Sequence, residues 1–410
     1  MKRLPISIAR AVAIALLMGT ATYACSSSNG SSDTYPDDCG PDVSYDECYV
    51  EKRDPDSEQI QLATDIAIRY MANHPFEDEE WDWRSGVLMY ALTELHRVTG
   101  DERFHDYYQS WLDYRIEQGY RMVWSDSCPP AITATILHDE MAEDRYQQVI
   151  DDTFEYLDDV APRTEEGGIS HNGVLGNTPS VWLDSLFMFG MVLNKYGELF
   201  DDEERLQMAS EQILIITGLL QDDNGFMRHA TDWPGYDETI HWTRGNSWVV
   251  ASLADYLRVL VRREASDAGV EASDPAVEEV FKKHVAAILS AQGESGLWQT
   301  VMSHPDEPGN YLETSGSALF TYGLARGYRY GALGDGERDR ALRGIEGVKG
   351  MIRMDEDGPV VTGVSLATDP WPLRDPDGNG AGYLDVPLGD DVNYGVGAVV
   401  LALIETSGLN

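Results

Sequence analysis

From residue 58 to the C-terminus, apolar residues recur at three- and four-residue spacing in one segment after another. This helical period limits the possible folds more than any other feature of the chain. Segment 59–72 shows the pattern, with Ile60, Ala63, Ile66 and Ala67 on one stripe. The same period marks 87–98, 102–118, 129–141, 145–157, 180–196, 203–220, 247–262, 276–291, 312–329, 337–354 and 394–404, so twelve helices are predicted. Alternating Val, Ile and Thr are scarce outside 360–364. Twelve helices in consecutive pairs, joined alternately by short turns and long loops, predict an all-α (α/α)6 barrel of six helical hairpins. Each hairpin would present one helix inside and one outside. A superhelical stack of repeats is the alternative, but no repeat of fixed period is visible. The long loops of a barrel gather at one mouth, where pockets form. No internal linker divides 57–410, which is read as one domain.

The first 24 residues read as an export signal. Lys2, Arg3 and Arg10 precede or flank a short apolar run at 11–18, too short to span a bilayer. Thr22-Tyr23-Ala24-Cys25 resembles a lipoprotein cleavage box, with Thr22 where a Leu is usual. On that reading Cys25 becomes the lipid-bearing first residue of an exported, cell-envelope protein, and 25–56 is a tether that opens on the flexible run SSSNGSS at 26–32. Ordinary signal cleavage with Cys25 left as a thiol is the other reading. Cys39 and Cys48 suit an oxidising compartment, where a small disulfide loop is allowed. Cys128 is then odd, buried or idle. No Cys or His cluster has metal-ligand spacing.

Charge excludes one class of function. The chain carries 30 Lys and Arg against 71 Asp and Glu, a net −41, and loss of the three cations of residues 1–24 makes this −44. Such a surface repels nucleic acid and anionic membranes, leaving a lipid anchor as the expected membrane contact.

Three dense segments carry candidate chemistry. The first is HWTRGNSW at 241–248. There Arg244 offers a planar fork for a carboxylate, and Trp242 and Trp248 offer flat apolar walls for a sugar ring, although Trp248 also suits a core. The second is PSVWLDSLFM at 179–188, where Asp184 sits among Trp182, Leu183, Leu186 and Phe187 inside a predicted helix. Apolar neighbours disfavour the charged form, so its pKa is expected to rise. The third is NYLETSG at 310–316, with Glu313. Asp126 stands before a predicted helix, where capping is the plain alternative to chemistry. His171 and His229 each close a Gly-led loop, after Gly167-Gly168 and Gly225. Trp298 has two even readings, a platform for a second sugar or core packing.

Taken in order, these motifs resemble the unsaturated glycuronyl hydrolases of glycoside hydrolase families 88 and 105, family 105 more closely. The likeness runs from Trp81-Asp82-Trp83 nearly to the C-terminus. It implies a hydrolase that removes a 4,5-unsaturated uronic acid from the non-reducing end of lyase-generated oligosaccharides, by hydrating the vinyl ether. Asp184 would be the proton donor, and Asp126 would hold the substrate and keep Asp184 protonated. His171, His229, Trp182, Trp242, Arg244, Trp248 and Trp298 would bind sugar. Neither metal nor organic cofactor is implied. Rhamnogalacturonan fragments fit the family, and ulvan fragments fit the acidic composition. The rival readings are another carbohydrate enzyme on the same barrel, a saturated-glycan hydrolase or a lyase, and a non-catalytic glycan-binding lipoprotein.

Replacing Cys25 tests the anchor. Cys25→Ser is expected to move the protein from the membrane fraction to the soluble fraction. Wild-type protein found soluble and unlipidated by mass spectrometry would support simple signal cleavage instead.

Overall fold

The computed structural model describes residues 53–175, 178–266, 273–375 and 382–409. The export signal, Cys25, Cys39, Cys48 and most of the expected tether lie outside them. Among the described residues there are thirteen α-helices. They are α1 (Glu58–Asn73), α2 (Trp83–Thr99), α3 (Glu102–Gln118), α4 (Pro130–Met141), α5 (Asp144–Glu155), α6 (Ser185–Met188), α7 (Gly190–Leu199), α8 (Glu203–Leu220), α9 (Thr243–Ser266), α10 (Pro275–Ser290), α11 (Thr314–Arg329), α12 (Asp335–Lys349) and α13 (Asn393–Thr406). Helices α6 and α7 are one rod interrupted at Phe189, so the rods number twelve, as the periodicity predicts.

Packing order shows the barrel. Around the inside, α2 packs on α4, α4 on α7, α7 on α9, α9 on α11, α11 on α13, and α13 returns to α2. The ring is closed. Helices α3, α5, α8, α10 and α12 each back the inner helix that precedes them in their hairpin, and α1 backs α13. An inner helix is enclosed on all sides, which requires apolar or small residues all round rather than on one stripe. In α13 every residue from Tyr394 to Thr406 is buried. Gly397 is required there by close approach: a Cβ would lie 2.9 Å from the Val87 carbonyl oxygen of α2.

Two boundaries differ from expectation. The run predicted as a helix over 180–196 is extended as far as Trp182, which bridges to Ala230, and the helix starts at Ser185. The run predicted over 337–354 ends as a helix at Lys349, after which Ile352–Asp355 forms β1. Strand β1 pairs antiparallel with β2 (Gly358–Val361), and β3 (Val364–Ser365) pairs with β4 (Leu388–Gly389). Helical period alone does not mark where Gly350 and the Asp357-Gly358 turn stop the helix and reverse the chain.

The later turns of the inner helices enclose a buried ion network. Arg326 of α11 donates to Asp255 of α9 (2.5 Å), Glu405 of α13 (3.1 Å) and Glu94 of α2 (3.3 Å). Arg258 reaches Asp255 and forks onto Glu198 of α7. Arg53 donates to Glu405 at 2.7 Å and is itself buried, so the folded body includes residues assigned above to the tether. Burial raises the Glu405 carboxyl, but Arg53, Arg326 and Arg329 outweigh it and bring its pKa from 4.5 to about 2.

Removing one partner of a buried ion pair leaves the others uncompensated. Arg326→Met is expected to cost about 3–5 kcal/mol, read as a lower midpoint in urea unfolding at unchanged slope. The depressed Glu405 pKa contributes stability that is present above 4.5 and lost as pH falls toward 2. An unfolding midpoint that is flat across that window, or unmoved in Arg326→Met, would show that the network holds nothing together.

Candidate active site

The opposite ends of the same helices, their N-termini, surround a cavity of about 400 Å³. Each candidate side chain reaches it because a loop is fastened just before a helix begins. In the turn at Ser125–Ser127, the Ser127 hydroxyl accepts the backbone N–H of Val123 at 3.2 Å. Pro129 precedes α4 without a side-chain cap. Asp126 is therefore not consumed by capping and lines the cavity. Asp184 stands at the N-cap position of α6 and likewise makes no capping bond. The plain capping alternative for Asp126 therefore fails.

Each aspartate faces an imidazole. His171 Nε2 lies 3.3 Å from Asp126 Oδ1, and His229 Nε2 lies 3.0 Å from Asp184 Oδ2. The His171 ring stacks on Trp182 at 4.2 Å and 9°, with its Nδ1 3.0 Å from the Ser185 hydroxyl. The His229 ring stacks on Trp242 at 4.6 Å, with its Nδ1 2.6 Å from the Tyr383 hydroxyl. Leu183 N–H donates to the His229 carbonyl at 3.0 Å, tying the two segments together.

The HWTRGNSW motif holds this pairing in place. The Asn246 carboxamide accepts from Met227 N–H (2.9 Å) and donates to the Met227 and Trp242 carbonyls (3.0 and 2.8 Å), which fixes the strand that carries His229. Gly245 is needed because a Cβ would lie 2.6 Å from Leu183 and 2.7 Å from Trp242.

Electrostatics reverse one expectation. Burial does press Asp184 upward, but His229 and then His171 outweigh it, so its pKa is lowered rather than raised. Its chain neighbours are apolar while its facing neighbours are imidazoles, and the second effect wins. Burial works against charge on His171, yet Asp126 and Asp184 prevail and raise its pKa.

Residues 61–409 match the model of glycosyl hydrolase family 88. The chain belongs to that family. The protein is thus a glycoside hydrolase. It is similar to the unsaturated rhamnogalacturonyl hydrolase YesR of Bacillus subtilis, at 26% identity over 64% of this chain and 74% of that protein. It is also similar to an unsaturated 3S-rhamnoglycuronyl hydrolase of Formosa agariphila, at 25% identity over 70% of this chain and 77% of the relative. Among solved structures it resembles a possible family 105 member from Klebsiella pneumoniae. That match has a TM-score of 0.71 and 24% identity, over 85% of this chain and 93% of the other.

The fold of this family 88 hydrolase brings most of the predicted side chains together. Asp126, Asp184, His171, Trp182, Trp242, Arg244 and Trp248 line the cavity, and His229 stands behind Asp184. Trp248 is mainly core, wedged against Phe187 and Trp83. Trp298 is not a sugar platform: it is fully buried, packs on Phe320 and donates its indole N–H to Ile288. Arg244 does not present a free fork to the cavity. Its exposure is 0%, and its two terminal nitrogens donate to the Ser365 and Leu366 carbonyls at 2.7 and 2.9 Å.

Several cavity residues escaped the sequence reading. Asp369 and Trp371 come from the connection between β3 and β4, as does Tyr383, which packs with Trp242 and Ile240. Arg84, paired with Asp82, and the indoles of Trp124 and Trp233 complete the wall. Aromatic residues set in a Pro- and Gly-rich loop were the available signal.

Because Arg244 braces a wall, its loss should cost stability as well as binding. Arg244→Ala is expected to destabilise the fold by about 3 kcal/mol and to raise KM, with Arg244→Lys recovering less than half of the stability since it lacks the fork. A raised KM at unchanged urea midpoint would make Arg244 a substrate anchor alone.

Proposed function

We propose that this family 88 hydrolase removes a 4,5-unsaturated uronic acid from the non-reducing end of oligosaccharides left by polysaccharide lyases. The observation that carries this reading is the Asp184–His229 pair. Both facing atoms are buried, 3.0 Å apart, and without an aligned hydrogen bond inside the protein, at the edge of a cavity walled by Trp182 and Trp242. Such a pair sets a carboxyl group within reach of both an imidazole and the cavity. The named activities of the relatives in Bacillus and Formosa support the same substrate class.

The reaction then proceeds by hydration. The pair donates its proton from Asp184 to C4, and positive charge forms at C5, shared with the ring oxygen. Water adds to C5 and returns a proton to Asp184. The hemiketal opens to a ketone at C5, and the hemiacetal left at C1 collapses to an aldehyde, releasing the next sugar. Asp126 and His171 orient the sugar hydroxyls, with Trp182 and Trp242 against the ring. The substrate carboxylate draws on the cationic surroundings that keep Asp184 low in the free enzyme, so its arrival raises Asp184 toward the protonated form. Export and lipid attachment at Cys25 belong to the same proposal, since large lyase products are made outside the cytoplasm.

Asp184→Asn is expected to fold normally and lose at least about 100-fold in turnover, the scale for removing a positioned acid. Turnover is read from the ultraviolet absorbance of the C4=C5 bond, which hydration abolishes. A saturated uronyl disaccharide has no vinyl ether and should not react. Cleavage of that analogue at a comparable rate, or a tenth of wild-type rate in Asp184→Asn, would refute the mechanism.

A further inference from the structure

We infer that Tyr383 is a positioning residue for the proton donor: its hydroxyl fixes the His229 hydrogen on Nε2, where it faces Asp184 Oδ2 and leaves the acid proton to Oδ1. The role given to Oδ1 rests on the uronate-removing reading above, whereas the placement of the histidine hydrogen does not.

The hydrogens around His229 can be counted. The Tyr383 hydroxyl lies 2.6 Å from His229 Nδ1, in a residue that is 1% exposed. Burial pushes the phenol well above its ordinary range, so it keeps its hydrogen. Among the described residues Nδ1 is the acceptor within reach of that hydrogen. A neutral imidazole has one donor and one acceptor nitrogen, and the bond made by one decides the state of the other. With Tyr383 donating, Nδ1 is bare and Nε2 carries the hydrogen, 3.0 Å from Asp184 Oδ2. The opposite arrangement is penalised twice. The phenol hydrogen would be buried without a partner, and a bare Nε2 would meet the carboxylate lone pair against lone pair. The ring is held in this orientation by its stack on Trp242, and the Tyr236 hydroxyl accepts the His229 backbone N–H at 2.7 Å.

The consequence falls on Asp184. It lines the cavity and is 8% exposed, yet its Oδ2 is buried against His229. Oδ1 is thus the oxygen left to the cavity. While Oδ2 faces the Nε2 hydrogen, an acid proton is stable only on Oδ1, where a bound substrate can take it. Without the Tyr383 hydroxyl, Nδ1 could hold the histidine hydrogen, and Oδ2 could then turn the acid proton away from the cavity toward Nε2. The other titratable groups that face the pair are His171 beside Asp184, Asp369 beside both, and Tyr236 against the ring.

Tyr383→Phe keeps the ring that packs on Trp242 and removes only the hydroxyl. With histidine labelled in nitrogen-15, the ring nitrogens of the nine histidines report which of them carry hydrogen, and the His229 signals are those lost in His229→Gln. At about pH 8, above the ordinary histidine range, wild type is expected to show a bare Nδ1 and a protonated Nε2, and Tyr383→Phe a mixture of tautomers. On an unsaturated uronyl disaccharide, Tyr383→Phe should lower kcat about tenfold at unchanged KM. The alkaline limb of its kcat profile should move down by about one unit, the scale of one lost buried hydrogen bond. It moves down because an imidazole relieved of the phenol takes up a proton more readily, and its charge favours ionised Asp184. Tyr236→Phe, whose hydroxyl bonds backbone atoms, should keep the wild-type tautomer. Hydrogen on Nδ1 in wild type would overturn the proposal, and that spectrum decides even if Tyr383→Phe does not fold. A wild-type kcat profile in Tyr383→Phe would overturn the role of Tyr383, as would an equal tautomer change in Tyr236→Phe. Wild-type enzyme that left the disaccharide unreacted would remove the uronate reading and the role of Oδ1, while the spectrum would still decide the tautomer.

Discussion

Closure of the inner ring is the constraint from which the rest follows. Six inner rods can close only if each is small or apolar wherever it meets its neighbours, as at Gly397 against α2. Once closed, they all present N-termini to one end and later turns to the other. The two ends are then electrostatically unlike. Helix N-termini favour negative groups and C-termini favour positive ones. Asp82, Asp184 and Glu313 stand at N-cap positions of inner helices, whereas Arg258, Arg326 and Arg329 lie in the later turns.

That arrangement also explains why two buried aspartates remain useful. A carboxylate enclosed by Trp182, Leu183 and Phe187 would by itself be neutral and inert to pH. His229 and His171 turn the site into two carboxylate–imidazole pairs, 3.0 and 3.3 Å across. Tyr383 and Ser185 hold the outer nitrogens of the two rings, so each imidazole keeps its orientation. Glu313 has a different part. It accepts from Ser315, Gly316 and Ser365, and so positions the Ser365–Leu366 backbone that Arg244 grips.

The barrel and the paired residues were legible in the sequence because their signals are local. Helical period, Gly-led loops and the WLDSLFM and HWTRGNSW strings each lie within about ten residues, and each sits at the start of an inner helix. What stayed hidden depends on distant contacts. Asp369 and Tyr383 belong to a loop without period, nearly 150 residues or more from the histidines they adjoin. The lowered pKa of Asp184 required knowing that His229 faces it; the apolar residues beside it in the chain pointed the other way. The choice between the two readings of Trp298, and the bracing of Arg244 by backbone carbonyls, were hidden for the same reason: only the closed ring buries both.

On the mechanism proposed above, the charge of the substrate becomes part of the catalyst. In the free enzyme the histidines stabilise Asp184 as a carboxylate, which is the wrong form for a proton donor. Neutral sugars would leave that balance untouched. A uronate changes it, because its carboxylate competes with Asp184 for the same positive field and displaces the water that screened it. On that mechanism, protonation of Asp184 is tied to occupation by an acidic sugar beside the two histidines.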